Sequence, residues 1–165
     1  MTSNHATWRT VAIDLQVAAE KLWPEIEGAF RAVGRGAGTA ALREGLRYRG
    51  AFYLLAALAV ENFAKALVAQ AKARRNEPMS ELDLLTLGRG EHLARVAEDA
   101  GLRLTSSERA LLLRLTRTMR WRGRYPAPVL RQPNARGVRS IVGTGDLREI
   151  KRLLAKFEGV YQRTD

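Results

Sequence analysis

Phe52-Tyr-Leu-Leu-Ala-Ala-Leu-Ala-Val60-Glu-Asn-Phe-Ala-Lys65-Ala-Leu-Val68 is the stretch that decides the fold. Seventeen consecutive residues carry no glycine or proline, and Glu61 and Lys65 are their only charges. A segment apolar on most of its sides, set in a pattern extending from about Thr39 to Arg75, reads as the central helix of a helical bundle. Its most apolar part, Ala51 to Val60, is about ten residues long and runs into Glu61, Asn62 and Lys65, short of the roughly 20 apolar residues that span a bilayer. The expected role is therefore a buried core helix, with no membrane as a partner.

Outward from this helix, glycine and proline divide the chain into five helical patterns without an alternating strand pattern, so the expected class is all-α, one domain over residues 1–165. The first pattern covers about Ala6 to Val33, with Val11, Leu15, Ala18, Leu22, Ile26 and Phe30 spaced three or four apart on one face. Pro24 inside it is expected to kink the helix or split it. Gly34-Arg-Gly-Ala-Gly38 reads as a flexible turn, since no strand precedes it and no Gly-Lys-Ser/Thr follows. After a connector at 76–90, with one helical turn expected at 81–87, a third helix covers about Glu91 to Ala100 and stops at Gly101. Thr105 and Glu108 match a capping box that opens a fourth helix reaching about Trp121. Residues 122–145, rich in Arg, Pro and Gly, read as a long loop of the kind that carries function. The last helix runs from about Asp146, as N-cap, to Tyr161, with Leu147, Ile150, Leu153, Leu154 and Phe157 turned inward.

Composition narrows the chemistry. The 165 residues contain no cysteine, which removes thiolate nucleophiles and Cys-based metal sites and suits a reducing cytoplasm. The polar start, Met1 to Thr7, lacks a secretory n-region and h-region, so a cytoplasmic location is expected. The net charge is +11, and with only five lysines among 28 basic residues the excess is almost wholly arginine, 23 in all. Guanidinium groups grip phosphates bidentately and stack on bases, which points to nucleic acid or another polyanion. GC-rich codon usage, with Arg standing in for Lys on an ordinary surface, accounts for the same count.

Placement carries more information than the count. At about 100° per residue from Arg109, Arg120, Arg124, Arg117 and Arg114 fall at roughly 20, 60, 80 and 140°, with Trp121 at roughly 120° and Leu111, Leu115, Met119 and Leu112 between roughly 200 and 300°. Basic residues interleaved with an aromatic can hold phosphates while the ring stacks on a base. The same pattern also fits a solvated outer face. In the core helix, Glu61 and Lys65 have the favourable i,i+4 order, and an arginine from another helix or from residues 120–125 is the expected third partner in either a structural network or a site. Of the two histidines, His5 sits in an N-terminal stretch expected to be loose and His92 opens the third helix, either as a cap or as a group that titrates near a phosphate. No spacing of His or acidic residues suggests a metal, and no cofactor motif is present.

Three segments in order resemble the HEPN family: Ala57-Leu-Ala-Val-Glu61-Asn-Phe-Ala-Lys65-Ala, His92-Leu-Ala-Arg-Val-Ala-Glu-Asp-Ala-Gly101-Leu, and Arg120-Trp-Arg-Gly-Arg124-Tyr125-Pro126. They cover roughly residues 45 to 130. The resemblance implies an up-and-down bundle of about five helices, dimerisation across the fourth helix, and a role linked to RNA. That role would be a metal-independent RNase, a toxin paired with an antitoxin, or a non-catalytic nucleotide-binding module. Nuclease members carry Arg-x(4–6)-His at the end of the fourth helix, where the Arg holds the phosphate and the His moves protons. Here no histidine follows Arg114, Arg117 or Arg120, so that motif is half present. The resemblance then implies an RNA- or nucleotide-binding homodimer acting through Arg114, Arg117, Arg120, Trp121, Arg124 and Tyr125, supported by Glu61 and Lys65. A divergent RNase would draw on Arg120, Arg124, Tyr125 and His92, and a third reading sets the arginine stripe against an acidic protein.

Overall fold

In the computed structural model, residues 5–36, 39–80, 83, 93–119 and 144–163 are described. They form five helices: α1 (His5–Gly34), α2 (Thr39–Arg74), α3 (Leu93–Asp99), α4 (Ser106–Arg117) and α5 (Thr144–Arg163). The all-α bundle expected from the sequence is thus seen, with no strand among the described residues.

α1 and α2 make a long antiparallel hairpin, and α3, α4 and α5 close over part of it. α2 is the axis. Phe52, Ala56, Val60, Phe63, Ala64 and Ala66 are almost wholly excluded from solvent. By length and composition Arg47–Arg74 could cross a membrane, but most of its apolar stretch is covered by the protein's own helices. Three of the four buried residues of α1, Ala12, Ala19 and Ile26, are spaced seven apart, with Ala29 the fourth and Leu15 and Leu22 partly buried beside them. α2 answers with Phe52, Ala59 and Ala66 at the same spacing. A seven-residue repeat keeps one seam facing the partner, and the alanines let the two backbones approach closely.

That seam corrects the α1 face expected from the sequence. Val11 is 39% exposed, because Ala12, one position round the helix, takes the inner place. Pro24 does not split α1, which runs through it unbroken. The ends of α2 and α3 share one device. After α2, Asn76 takes a positive φ of 56°, its N–H bonds to the Ala73 carbonyl and the Glu77 N–H bonds to that of Lys72. After α3, Gly101 at φ 86° plays the same part, with Gly101 and Leu102 donating to Glu98 and Ala97. Each pair satisfies carbonyls that a helix end leaves orphaned.

Ser80 and Asp83 exchange bonds at the start of the turn expected at 81–87, whose other residues lie outside the described ones. The capping box of α4 is present: the Glu108 N–H donates to the Thr105 hydroxyl at 3.2 Å and the Thr105 N–H to the Glu108 carboxylate at 2.7 Å. α5 starts at Thr144, two residues earlier than expected, so Gly145 is helical and Asp146 is not the N-cap. Its carboxylate, still at the positive end of the helix dipole, is turned sideways to α2 and α4. All five residues expected to face inward, Leu147, Ile150, Leu153, Leu154 and Phe157, are buried.

Candidate polyanion-binding surface

α4 is amphipathic as its sequence requires, with Leu111, Leu112, Leu115 and Met119 buried. Thr116, also buried, bonds back to the Leu112 carbonyl at 2.8 Å and accepts the Leu93 N–H at 3.0 Å, which pins the start of α3 to the middle of α4. After Arg117 the helix loosens into a π-type turn at Thr118 and Met119, the kind of irregularity common where helices carry function.

The arginines of α4 do not share one environment. Arg109 is paired with Glu98 of α3. Arg114 donates to Asp146 of α5 at 2.8 Å, and the Tyr53 hydroxyl donates to the other Asp146 oxygen at 3.3 Å. Three helices therefore meet at one carboxylate. Burial, reinforced by the charge of Asp146, pushes the Tyr53 phenol well above its ordinary value despite the opposing pull of Arg49 and Arg114. Tyr53 is thus a hydrogen-bond donor at neutral pH, not a base. The Nε of Arg114 is buried without a partner among the described residues, so this arginine grips Asp146 through one end of its fork only. Arg117, one turn further on, is exposed and makes no ion pair among the described residues.

Arg120, Trp121, Arg124, Tyr125 and His92 lie outside the described residues, as does nearly all of the expected 122–145 loop. Glu61 and Lys65 pair on α2 at 2.6 Å, both almost buried, and the Lys65 ammonium stands 4.9 Å from the Trp8 ring centre. The third member of that group is an aromatic face of α1, which offers a desolvated ammonium a cation–π contact in place of a second anion. No contact among the described residues carries it to α4.

Sequence reasoning missed two features. His5, expected in a loose stretch, lies in the first turn of α1 with its Nδ1 2.6 Å from the Tyr161 hydroxyl. Beside it Arg9 pairs with Glu158 at 3.0 Å and stacks over the Tyr161 ring, while Gln70 reaches the Tyr161 carbonyl. The i,i+4 spacing of His5 and Arg9 was the available signal. The second feature is the outward face of α5, where Arg148, Lys151 and Arg152 are all exposed; their positions opposite the five inward residues were readable from the sequence. Among the described residues no His, Asp or Glu cluster is arranged to hold a metal ion. No protein-family model, curated protein or solved structure matches the chain.

Proposed function

We propose that the chain is a non-catalytic, HEPN-like module that binds RNA or a nucleotide phosphate through the end of α4 and residues 120–125, acting in the cytoplasm as a homodimer. The observation that carries this reading is Arg117. It is an exposed guanidinium without an acidic partner among the described residues, set just beyond a paired arginine and leading straight into Arg120-Trp-Arg-Gly-Arg124-Tyr125. The net charge of +11 and the helical bundle support it further. Arg114 belongs to the scaffold of this site: its bond to Asp146 fixes the end of α4 against α5. A non-catalytic role is supported by the missing histidine after the α4 arginines.

Fluorescence anisotropy with a labelled single-stranded RNA tests the reading. Affinity is expected to fall steeply with salt and to be lost in Arg120→Ala/Arg124→Ala, with a smaller loss in Arg117→Ala. Absent or salt-insensitive binding would refute it. Incubation of the same RNA in EDTA is expected to leave it intact; cleavage abolished by Arg124→Ala or His92→Ala would put the RNase in its place.

A further inference from the structure

α4 and α5 lie side by side, joined near one end by Arg114–Asp146 and near the other by Lys156, which bonds to both Glu108 oxygens at 2.9 Å. Of the acidic residues at this junction, Glu149 alone makes no ion pair among the described residues. Glu98 and Asp146 take two of the α4 arginines and Glu108 takes Lys156. Arg148, Lys151 and Arg152 have no such partner: all three are exposed and make no ion pair or side-chain hydrogen bond among the described residues. Arg148 and Arg152, four residues apart, share the face away from Leu147, Ile150 and Leu153, and Lys151 stands at its α1 edge, where it lines a shallow groove with Gln16, Glu20, Ile150 and Leu154. The next position outward on that face is Ala155, also exposed, too short to screen the cations beside it.

We infer that the outward face of α5, through Arg148, Lys151 and Arg152, is a second strip of phosphate contacts, separate from Arg117, that receives the backbone of a single-stranded RNA. The inference rests on the RNA reading above and extends it to a helix that the sequence pattern assigned only to the core. An exposed cation without an anion keeps its counterions in the free protein and releases those of the nucleic acid on binding. The paired arginines cannot do so without first breaking a bond within the fold. A backbone strip reads no bases, so the α5 face is expected to strengthen binding equally for all sequences.

The test compares wild type with Arg148→Ala/Lys151→Ala/Arg152→Ala, using a labelled single-stranded RNA over a series of salt concentrations, with circular dichroism as a control for folding. Three lost phosphate contacts at about 0.7 counterions each should reduce the slope of log K against log salt by about 2. The loss should be the same for several RNA sequences. If the variant keeps the wild-type slope and affinity, the α5 strip is overturned while the RNA reading stands; if wild type itself binds no RNA, both fall. An acidic polypeptide such as poly-glutamate that displaces the RNA and binds more tightly would assign the face to a protein and overturn the inference. Should the triple variant misfold, Arg148→Gln/Arg152→Gln, with an expected slope change of about 1.4, decides the matter in its place.

Discussion

α4 and α5 are neighbouring amphipathic helices with basic outward faces, and apart from Arg117 on α4 and Lys156 on α5 they treat their cations in opposite ways. On α4, Arg109 and Arg114 are held by acids from α3 and α5, which makes them fasteners between helices. On α5, Arg148, Lys151 and Arg152 are held by nothing among the described residues. An arginine stripe on a helical wheel therefore does not by itself mark a binding face. What separates the two helices is where the acids lie, and those acids are 11 and 32 positions away in sequence from the arginines they meet.

The contrast breaks into a double dissociation: removing a fastener should cost stability, and removing a free cation should cost binding. The largest loss of stability is expected for Asp146→Ala, which strips the half-buried Arg114 and the Tyr53 hydroxyl of their common acceptor, at about 2–3 kcal/mol in urea denaturation. Thr105→Ala, which deletes the cap of α4, should cost about 1 kcal/mol by the same measurement.

Glu108 sharpens the comparison through pH. Burial pushes its carboxyl up, but the bonds from Thr105 and Lys156 outweigh that and hold it below its ordinary value of 4.5. A carboxyl depressed in the folded state stabilises the fold above its unfolded value, and that stability is lost as the pH falls through the folded one. The wild type should accordingly lose stability more steeply below pH 4.5 than Glu108→Gln, as read from melting temperatures across the acid range. Arg109→Ala, which cuts an exposed pair, should change stability by less than about 1 kcal/mol. Smallest of all, Arg148→Ala or Arg152→Ala should leave stability within about 0.5 kcal/mol of wild type, because nothing in the fold leans on either side chain. A large loss there would dissolve the distinction.

Much of the fold was legible in local sequence because local chemistry determines it. Thr105 and Glu108 announce a helix start, Gly101 a helix stop, and the inward set of α5 follows from a period of 3.6. Val11 and Asp146 were misread for a different reason. The inner face of α1 is set by the seam it shares with α2, where alanine beats valine because the backbones come close. Asp146 answers to Arg114 and Tyr53, which only the folded chain brings near. Of the candidate site, among the described residues Arg117 makes no ion pair, Arg114 is held by Asp146 and Lys65 stands over Trp8, while residues 120–125, from which an arginine partner for Glu61 and Lys65 was also expected, lie outside them. The i,i+4 spacing of His5 and Arg9 marks a shared face but does not name its partner Tyr161, which lies 156 residues away.

That last pairing has a consequence for how the chain assembles. His5 with Tyr161 and Arg9 with Glu158 tie the first helix to the last, across separations of 156 and 149 residues. The α1–α2 seam, by contrast, closes around a turn of a few residues. The entropy of loop closure grows as about (3/2)RT ln n, so the seam is the cheaper contact to form and the tie between α1 and α5 among the dearest. The helix that carries the cations without an ion pair among the described residues is thus anchored at both ends, to α4 through Asp146 and to α1 through Glu158 and Tyr161.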